Sequence, residues 1–249
     1  MITWLRPGAA FPPIGQALAE PNGLLAASRE LTPERVIDAY RQGIFPWYSA
    51  GQPVLWWSPD PRMVLYLDEF RRSHSLARRI RRREFEIRVD TAFDAVIEAC
   101  AGAPRGRVVD QSGGRDLTGS DDRSETWITP AMLNTYRALH RLGYAHSVEA
   151  WREGELAGGL YGLAMGRVFF GESMFARATD ASKVALAALV GLARAHSVPM
   201  IDCQQQTRHL ASLGARPIPR AHFAHCLHQL IHSAAAPGGW IPGPLTEFT

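Results

Sequence analysis

A mixed α/β fold, an α+β sheet of mixed direction covered by helices, is predicted by two features of this sequence. Three neighbouring strand-like runs, around 145–152, 156–164 and 167–175, are followed by helix, strand and helix, an order that builds a mixed sheet with helices packed on it. The 249 residues are 46% apolar and 20% charged, which supplies one or two buried cores and excludes a disordered or collagen-like chain.

The first 60 residues read as short pieces. Thr32-Pro33 supplies an N-cap and a first helical residue, Val36, Ile37 and Tyr40 recur at helical spacing, and Gly43 ends the helix. After a stretch rich in aromatics, proline and glycine, Met63 to Leu67 form an apolar run that predicts a buried strand. A boundary near Pro61 then divides the chain into a small N-terminal domain (1–61), a second domain (62–232) and an unanchored tail (233–249). Within the second domain the predicted order is helix 73–83, strand 85–90, helix 91–101, a polar loop and helix 129–142. The three strands come next, followed by helix 181–195, strand 198–203 and helices 206–213 and 219–232. Thr129-Pro130 and Pro219 mark two further helix starts. The segment 104–124 is too long and polar for an ordinary connection and is expected to be an excursion.

Lys+Arg exceed Asp+Glu by 3, and Lys183 is the only lysine, so the basic charge is almost all arginine. Seven arginines and no acid lie between Arg71 and Arg83. At 100° per residue Arg71, Arg78 and Arg82 fall together, with Arg72, Arg79 and Arg83 beside them and Leu76 and Ile80 on a separate face. A charge run is usually a solvated face, but arginine's planar fork suits phosphate, so nucleic acid is an equal reading. Cys100, Cys203 and Cys226 are an odd number without CxxC spacing, which argues against a disulfide framework and a zinc site and fits a reducing compartment. His140, His146, His209, His222, His225, His228 and His232 show no metal-triplet spacing, so no metal is expected. The longest uncharged apolar helical stretch, Val184 to Ala193, is about half of a bilayer span, and Met1 to Gly15 lacks an apolar leader core. A cytoplasmic chain without membrane contact is expected.

Trp47, Trp56, Trp57 and Trp127 lie in loop-like sequence, either roofing a small core or offering stacking platforms for a nucleobase. Glu172 closes one apolar run and Asp202-Cys203-Gln204 another. In an extended strand Asp202 and Gln204 share a face and Cys203 opposes them, so a carboxylate and an amide can meet one substrate, while Cys203 lacks a base and is discounted as a nucleophile. The glycines 114–119 have phosphate-loop spacing without its lysine and are set aside.

Several segments in order carry a resemblance: Glu20 to Ala26, Gly43 to Trp47, Trp56 to Arg62, Thr126 to Thr129, His146 to Trp151, Gly171 to Phe175, Ala181-Ser182-Lys183, and Ile201 to Gln204 with Ser212 to Ala215. Over about residues 11 to 230 the chain resembles the leucyl/phenylalanyl-tRNA-protein transferases. The resemblance implies a small N-terminal domain before a GNAT-like acyltransferase core; because an aminoacyl ester is already activated no cofactor is expected, and a monomer is expected. It implies transfer of leucine or phenylalanine, and also methionine, from charged tRNA to the N-terminal Arg or Lys of a protein, marking that protein for degradation. Trp47 and Trp127 would hold the terminal adenosine. Leu160, Phe169, Met174, Leu189 and Ile201 would line the amino-acid pocket, and Glu172, Asp202 and Gln204 would be the catalytic polar group. Apart from the resemblance, the basic arc of Arg71, Arg72, Arg78, Arg79, Arg82 and Arg83 is expected to contact tRNA phosphates. Two departures stand out: Gln205-Gln206-Thr207 replaces the family's usual Val-Leu-Asn-like run, and the loop before Trp127 is longer than typical.

Two rivals are weighed against this. A coenzyme A-dependent acetyltransferase would need a glycine-rich turn after the strand ending near Phe175, whereas 176–181 contains no glycine. A non-catalytic RNA-binding module fits the arginines and tryptophans but leaves Glu172, Asp202 and Gln204 without a role.

Overall fold

The computed structural model describes residues 2–103, 127–232 and 240–248, so the expected excursion 104–124 lies outside the described residues. Strands β1 (Thr3–Leu5), β2 (Leu24–Ser28), β3 (Phe45–Pro46) and β4 (Val54–Trp57) form a small sheet in the order β1-β2-β4-β3, with helix α1 (Pro33–Arg41) between β2 and β3. These strands are two to five residues long, too short for an alternation of apolar and polar residues to register in the sequence. Trp56 and Trp57 belong to β4, and Trp56 is fully buried with its indole nitrogen donating to Ser28 Oγ at 2.9 Å, so this ring is core.

The remaining elements are β5 (Arg62–Tyr66), α2 (His74–Arg81), β6 (Glu86–Val89), α3 (Phe93–Gly102), α4 (Pro130–Arg141), β7 (Ala145–Arg152), β8 (Glu155–Met165) and β9 (Val168–Ala176). After them come α5 (Ala181–Ala195), β10 (Met200–Gln204), α6 (Arg208–Ser212), β11 (Arg216–Ile218), α7 (Arg220–Ile231) and β12 (Gly243–Pro244). Strands β5 to β12 form an eight-stranded sheet in the order β11-β5-β10-β9-β8-β7-β6-β12. It is mixed as expected: β9 and β10 run parallel, with α5 as their crossover, and the other neighbours pair antiparallel.

The helix starts follow from their caps. Thr32 Oγ1 accepts from Arg35 N at 3.2 Å, Ser73 Oγ from Leu76 N at 3.2 Å and Thr129 Oγ1 from Met132 N at 3.3 Å. One face of the large sheet packs with α1, α3, α4 and α7 around a first core; the other packs with α2 and α5 around a second. The first core contains Phe45 and Trp56 of the small sheet together with Val64 and Tyr161 of the large one, so the two sheets share buried side chains.

Two expectations are corrected. The segment 240–248 is not a free tail: β12 pairs with Arg88 and Val89, and Trp240 stacks on His146 at 4.3 Å. The Phe248 backbone lies so close to Gly191 of α5 that a Cβ there would sit 2.4 Å from the Phe248 carbonyl oxygen. The second correction concerns α2, which spans eight residues rather than the eleven expected, because Ser73 caps it and Arg83 turns out of it with φ 50°. Arg71 and Arg72 precede the cap and Arg83 follows the last turn, so the six named guanidinium groups do not form one helical stripe.

Candidate active site

The parallel pair β9/β10 is hydrogen-bonded only over Val168–Phe170 and Met200–Asp202, after which the strands part. Each carries an irregularity at that point. On β9 the register with β8 steps from Gly171 to Ser173, leaving Glu172 as the extra residue; on β10 the register with β5 steps from Asp202 to Gln204, leaving Cys203. A bulge re-aims side chains, and here both point polar groups toward the first core's side. The opening is bridged by Gln204 Nε2, which donates to Glu172 Oε1 at 2.8 Å.

Half-buried Glu172 is the centre of a polar group that includes two buried tyrosines. The Tyr40 hydroxyl from α1 lies 2.5 Å from Oε1, the Tyr136 hydroxyl from α4 lies 2.9 Å from Oε2, and the two hydroxyls lie 2.9 Å from each other. These three oxygen pairs need three hydrogens, of which the phenols supply two. With Glu172 ionised the phenols donate to its two oxygens, and when it takes up a proton that hydrogen supplies the third bond. Burial correspondingly pushes the Glu172 carboxyl up to about 7, with the Asp202 charge adding to the rise and the donated hydrogen bonds from Tyr40, Tyr136 and Gln204 opposing it. Burial, then the neighbouring Glu172 charge, holds both tyrosine hydroxyls well above their ordinary range, so they stay protonated as donors. A carboxyl poised near neutrality beside a gap between strands is suited to accept a proton from an attacking amine.

Asp202 is fully buried and paired with Arg62, which is equally buried. Arg62 Nε donates to Oδ1 at 2.8 Å, Nη2 to Oδ2 at 2.6 Å and Nη1 to the Gly43 carbonyl at 3.1 Å, while the guanidinium lies 4.7 Å from the ring centroids of both Phe45 and Phe223. Oδ1 also accepts from Gln204 N at 2.9 Å, and Gln204 has φ 61°, in the left-handed region that a side chain of this kind seldom adopts. Asp202 thus fixes the backbone that aims Gln204 at Glu172. Cys203 packs on the second core's side, and burial pushes its thiol up, which leaves it unreactive.

The five residues expected to line the pocket are all members of the second core or packed against it. Leu160, Phe169, Leu189 and Ile201 are buried in the second core and Met174 is half-buried against it; Leu160 faces Met174, and Phe169 faces Ile201, across neighbouring strands. Gly162 makes this possible, since a Cβ there would lie 2.5 Å from the Phe169 ring. Trp47 and Trp127 are half-buried against the first core, and the Tyr48 hydroxyl, 3.3 Å from Thr129 Oγ1, ties their two segments together. Among the arginines, Arg71, Arg72, Arg78, Arg82 and Arg83 are exposed, but Arg79 is engaged with Glu84 at 2.6 Å and Asp180 at 3.1 Å.

Arg62, Tyr40 and Tyr136 are site residues that the sequence did not reveal as such. Tyr40 sits on the apolar stripe of its helix and reads as core; only its convergence with Tyr136 on Glu172, across 132 and 36 residues of chain, gives it a polar role. The segment His146 to Trp151 is structural. Buried Glu149 accepts from the backbone of Thr91 and Ala92 at 2.9 and 2.8 Å and from Ser147 and Trp151 side chains, anchoring the start of α3. Asp90, His140 and His146 are the one three-residue group of His, Cys, Asp or Glu that converges among the described residues, but His140 Nδ1 and both His146 nitrogens are in use. His140 Nδ1 donates to the Ala145 carbonyl at 2.8 Å, and His146 faces Asp90 Oδ2 at 2.7 Å and the Gly143 carbonyl at 3.1 Å. No helix among the described residues is long and apolar enough to cross a membrane.

Comparison with known proteins adds an independent line. Residues 64–228 match the family model described as leucyl/phenylalanyl-tRNA protein transferase, and residues 29–60 match the one for its N-terminal domain. A curated leucyl/phenylalanyl-tRNA--protein transferase of Bordetella bronchiseptica is 52% identical over 245 residues, covering 95% of this chain and 89% of that protein. Those of Cupriavidus necator and Nitrosomonas europaea are 57% and 54% identical over 230 residues, covering 90% and 92% of this chain and 86% and 91% of theirs. A solved structure titled "The structure of L-PGS from Bacillus licheniformis" aligns at 12% identity over 76% of this chain and 57% of that one, with a TM-score of 0.35, too slight a likeness to assign the core to a named fold.

Proposed function

Because this chain belongs to the leucyl/phenylalanyl-tRNA protein transferase family, we propose that it moves leucine or phenylalanine from charged tRNA to the amino terminus of an acceptor protein at the Glu172–Gln204 gap. It is an aminoacyltransferase, and marking acceptors for degradation follows from that family. The finer parts of the reading are that methionine is also carried, that acceptors begin with Arg or Lys, and that a cytoplasmic monomer does the work.

The observation that carries the proposal is the neutral-range carboxyl of Glu172, bridged by Gln204 across parted strands. An aminoacyl ester is already activated, so the enzyme has mainly to align an amine with a carbonyl and take up the amine's proton. Glu172 accepts that proton, and Gln204 orients the reacting groups. Asp202 is a positioning residue, its charge consumed by Arg62. The pocket of Leu160, Phe169, Met174, Leu189 and Ile201 takes the apolar side chain and disfavours valine and isoleucine, whose branch at Cβ is stiff beside the ester. Trp47 and Trp127 stack the terminal adenosine. Arg71, Arg72, Arg78, Arg82 and Arg83 contact the tRNA phosphates, while Arg79 is withdrawn to an ion pair with Glu84 and Asp180.

Residues 1–61 form the N-terminal unit that contributes Tyr40 and Trp47, and 62–232 the acyltransferase unit. A GNAT-like description of the latter is supported by the parallel β9–α5–β10 crossover with its parted strands. The start of α5, where coenzyme A phosphates would sit, is filled by Asp180, held by Lys183 at 2.8 Å and Arg79. Incubation with labelled leucyl-tRNA and an Arg-initiated peptide tests the reading, with acetyl-coenzyme A as control donor. Labelled peptide from the tRNA alone is expected; acetylated peptide, or none from leucyl-tRNA, overturns it.

A further inference from the structure

Helix α7 turns Phe223 and Leu227 into the first core and presents His222 outward and Cys226 half-buried one turn on. We propose that Tyr66, His222 and Cys226 form a site for a soft divalent transition-metal cation of the zinc class, separate from the Glu172 gap. His222 Nε2 lies 3.7 Å from Cys226 Sγ and 3.5 Å from the Tyr66 hydroxyl. Bond lengths of ~2.3 Å to sulfur and ~2.0 Å to nitrogen or oxygen put tetrahedral ligands about 3.6 Å apart for sulfur and nitrogen, and about 3.3 Å for nitrogen and oxygen. His222 therefore stands within a few tenths of an ångström of the ligand-to-ligand spacing from both Cys226 and Tyr66.

The spacing also suits chelation, since residues four apart on a helix lie on one face. CxxC is the pattern whose absence argued against zinc in the sequence, and a His-x3-Cys pair on a helix escapes that search. Tyr66 is fixed on β5 under the Arg216 guanidinium, 4.8 Å from its ring, and the charge of Arg216 is matched by Glu69 through bonds of 2.7 and 3.0 Å. On binding, the Cys226 thiol and the Tyr66 hydroxyl release their protons to solvent as metal–sulfur and metal–oxygen bonds form, His222 gives its lone pair, and water completes the coordination without any redox change.

The competing ligands are His225, His228 and His232 on the same helix, so the test must separate them. The full-length reduced protein is titrated with Co2+ as the spectroscopic probe and then with Zn2+. One Co2+ per chain is expected, with a thiolate charge-transfer band and intense visible bands of a four-coordinate ion, both erased by Zn2+. Cys226→Ser removes the charge-transfer band, while His222→Ala and Tyr66→Phe each weaken binding, His222→Ala by about tenfold or more. Cys203→Ser, His225→Ala, His228→Ala and His232→Ala leave binding unchanged. Persistence of the band in Cys226→Ser, unchanged affinity in His222→Ala or Tyr66→Phe, loss of binding in any of the four variants expected to be silent, or a wild-type dissociation constant above about 100 μM overturns the proposal.

Discussion

Glu172 is half-buried and desolvated enough that ionisation is expensive, and this fixes two outcomes at the scale of single residues. Its folded pKa is raised from 4.5 to about 7, so the fold favours the protonated acid. The stability it contributes is complete below about pH 4.5 and is lost as pH rises through about 7, a difference of about 3 kcal/mol. Glu172→Gln is expected to abolish that loss: by urea unfolding, the variant should gain on wild type between about pH 5 and pH 8. A constant gap across that range would show that the Glu172 carboxyl is not raised as described. Tyr136→Phe removes a donor to the ionised carboxylate, so the inflection of the pH–rate profile should move to higher pH. An unmoved inflection would exclude Glu172 as the titrating group. Glu172, Asp202 and Gln204 were legible as polar residues ending apolar runs. Arg62 was not marked out as a site residue, since an arginine after proline gives no hint that it will be buried between two aromatic rings.

At the scale of elements, the caps and apolar periodicities made α1, α4 and the run β7–β8–β9 readable, because each is long enough to show its period. The small sheet was not readable: β3 has two residues, and what makes it a strand is its pairing with β4. The two bulges at Glu172 and Cys203 were equally hidden, since a register step belongs to a pair of strands. Helix α2 supplies the prediction at this scale. Replacing Arg78, Arg82 and Arg83 together with Gln should flatten the log–log salt dependence of tRNA binding by up to about 2 to 3 units and weaken all accepted tRNAs alike. Arg79→Gln should leave that slope unchanged and instead loosen α2 from the start of α5, where Asp180 waits for it. A slope altered by Arg79→Gln alone, or untouched by the triple variant, would contradict this division; filter binding across salt concentrations reads both.

At the scale of the molecule, the small sheet lends Phe45 to the support of Arg62 and Asp202 and helix α1 lends Tyr40 to Glu172, so the proposed site depends on both parts of the chain. The chain's last described segment closes the opposite side, with Trp240, Leu245 and Phe248 packed on the second core. A chain ending at His232 should lose about 2 kcal/mol or more of stability through the exposed apolar surface, seen as a lower urea midpoint; an unchanged midpoint would mean the segment does not pack. The central claim is that Glu172 takes the proton in aminoacyl transfer, and the most direct measurement is single-turnover transfer from leucyl-tRNA to an Arg-initiated peptide by wild type and Glu172→Gln. The variant should bind leucyl-tRNA within a few-fold of wild type but transfer at least about 100-fold more slowly, on the order of 3 kcal/mol in the transition state. Near-normal transfer by Glu172→Gln would contradict the account.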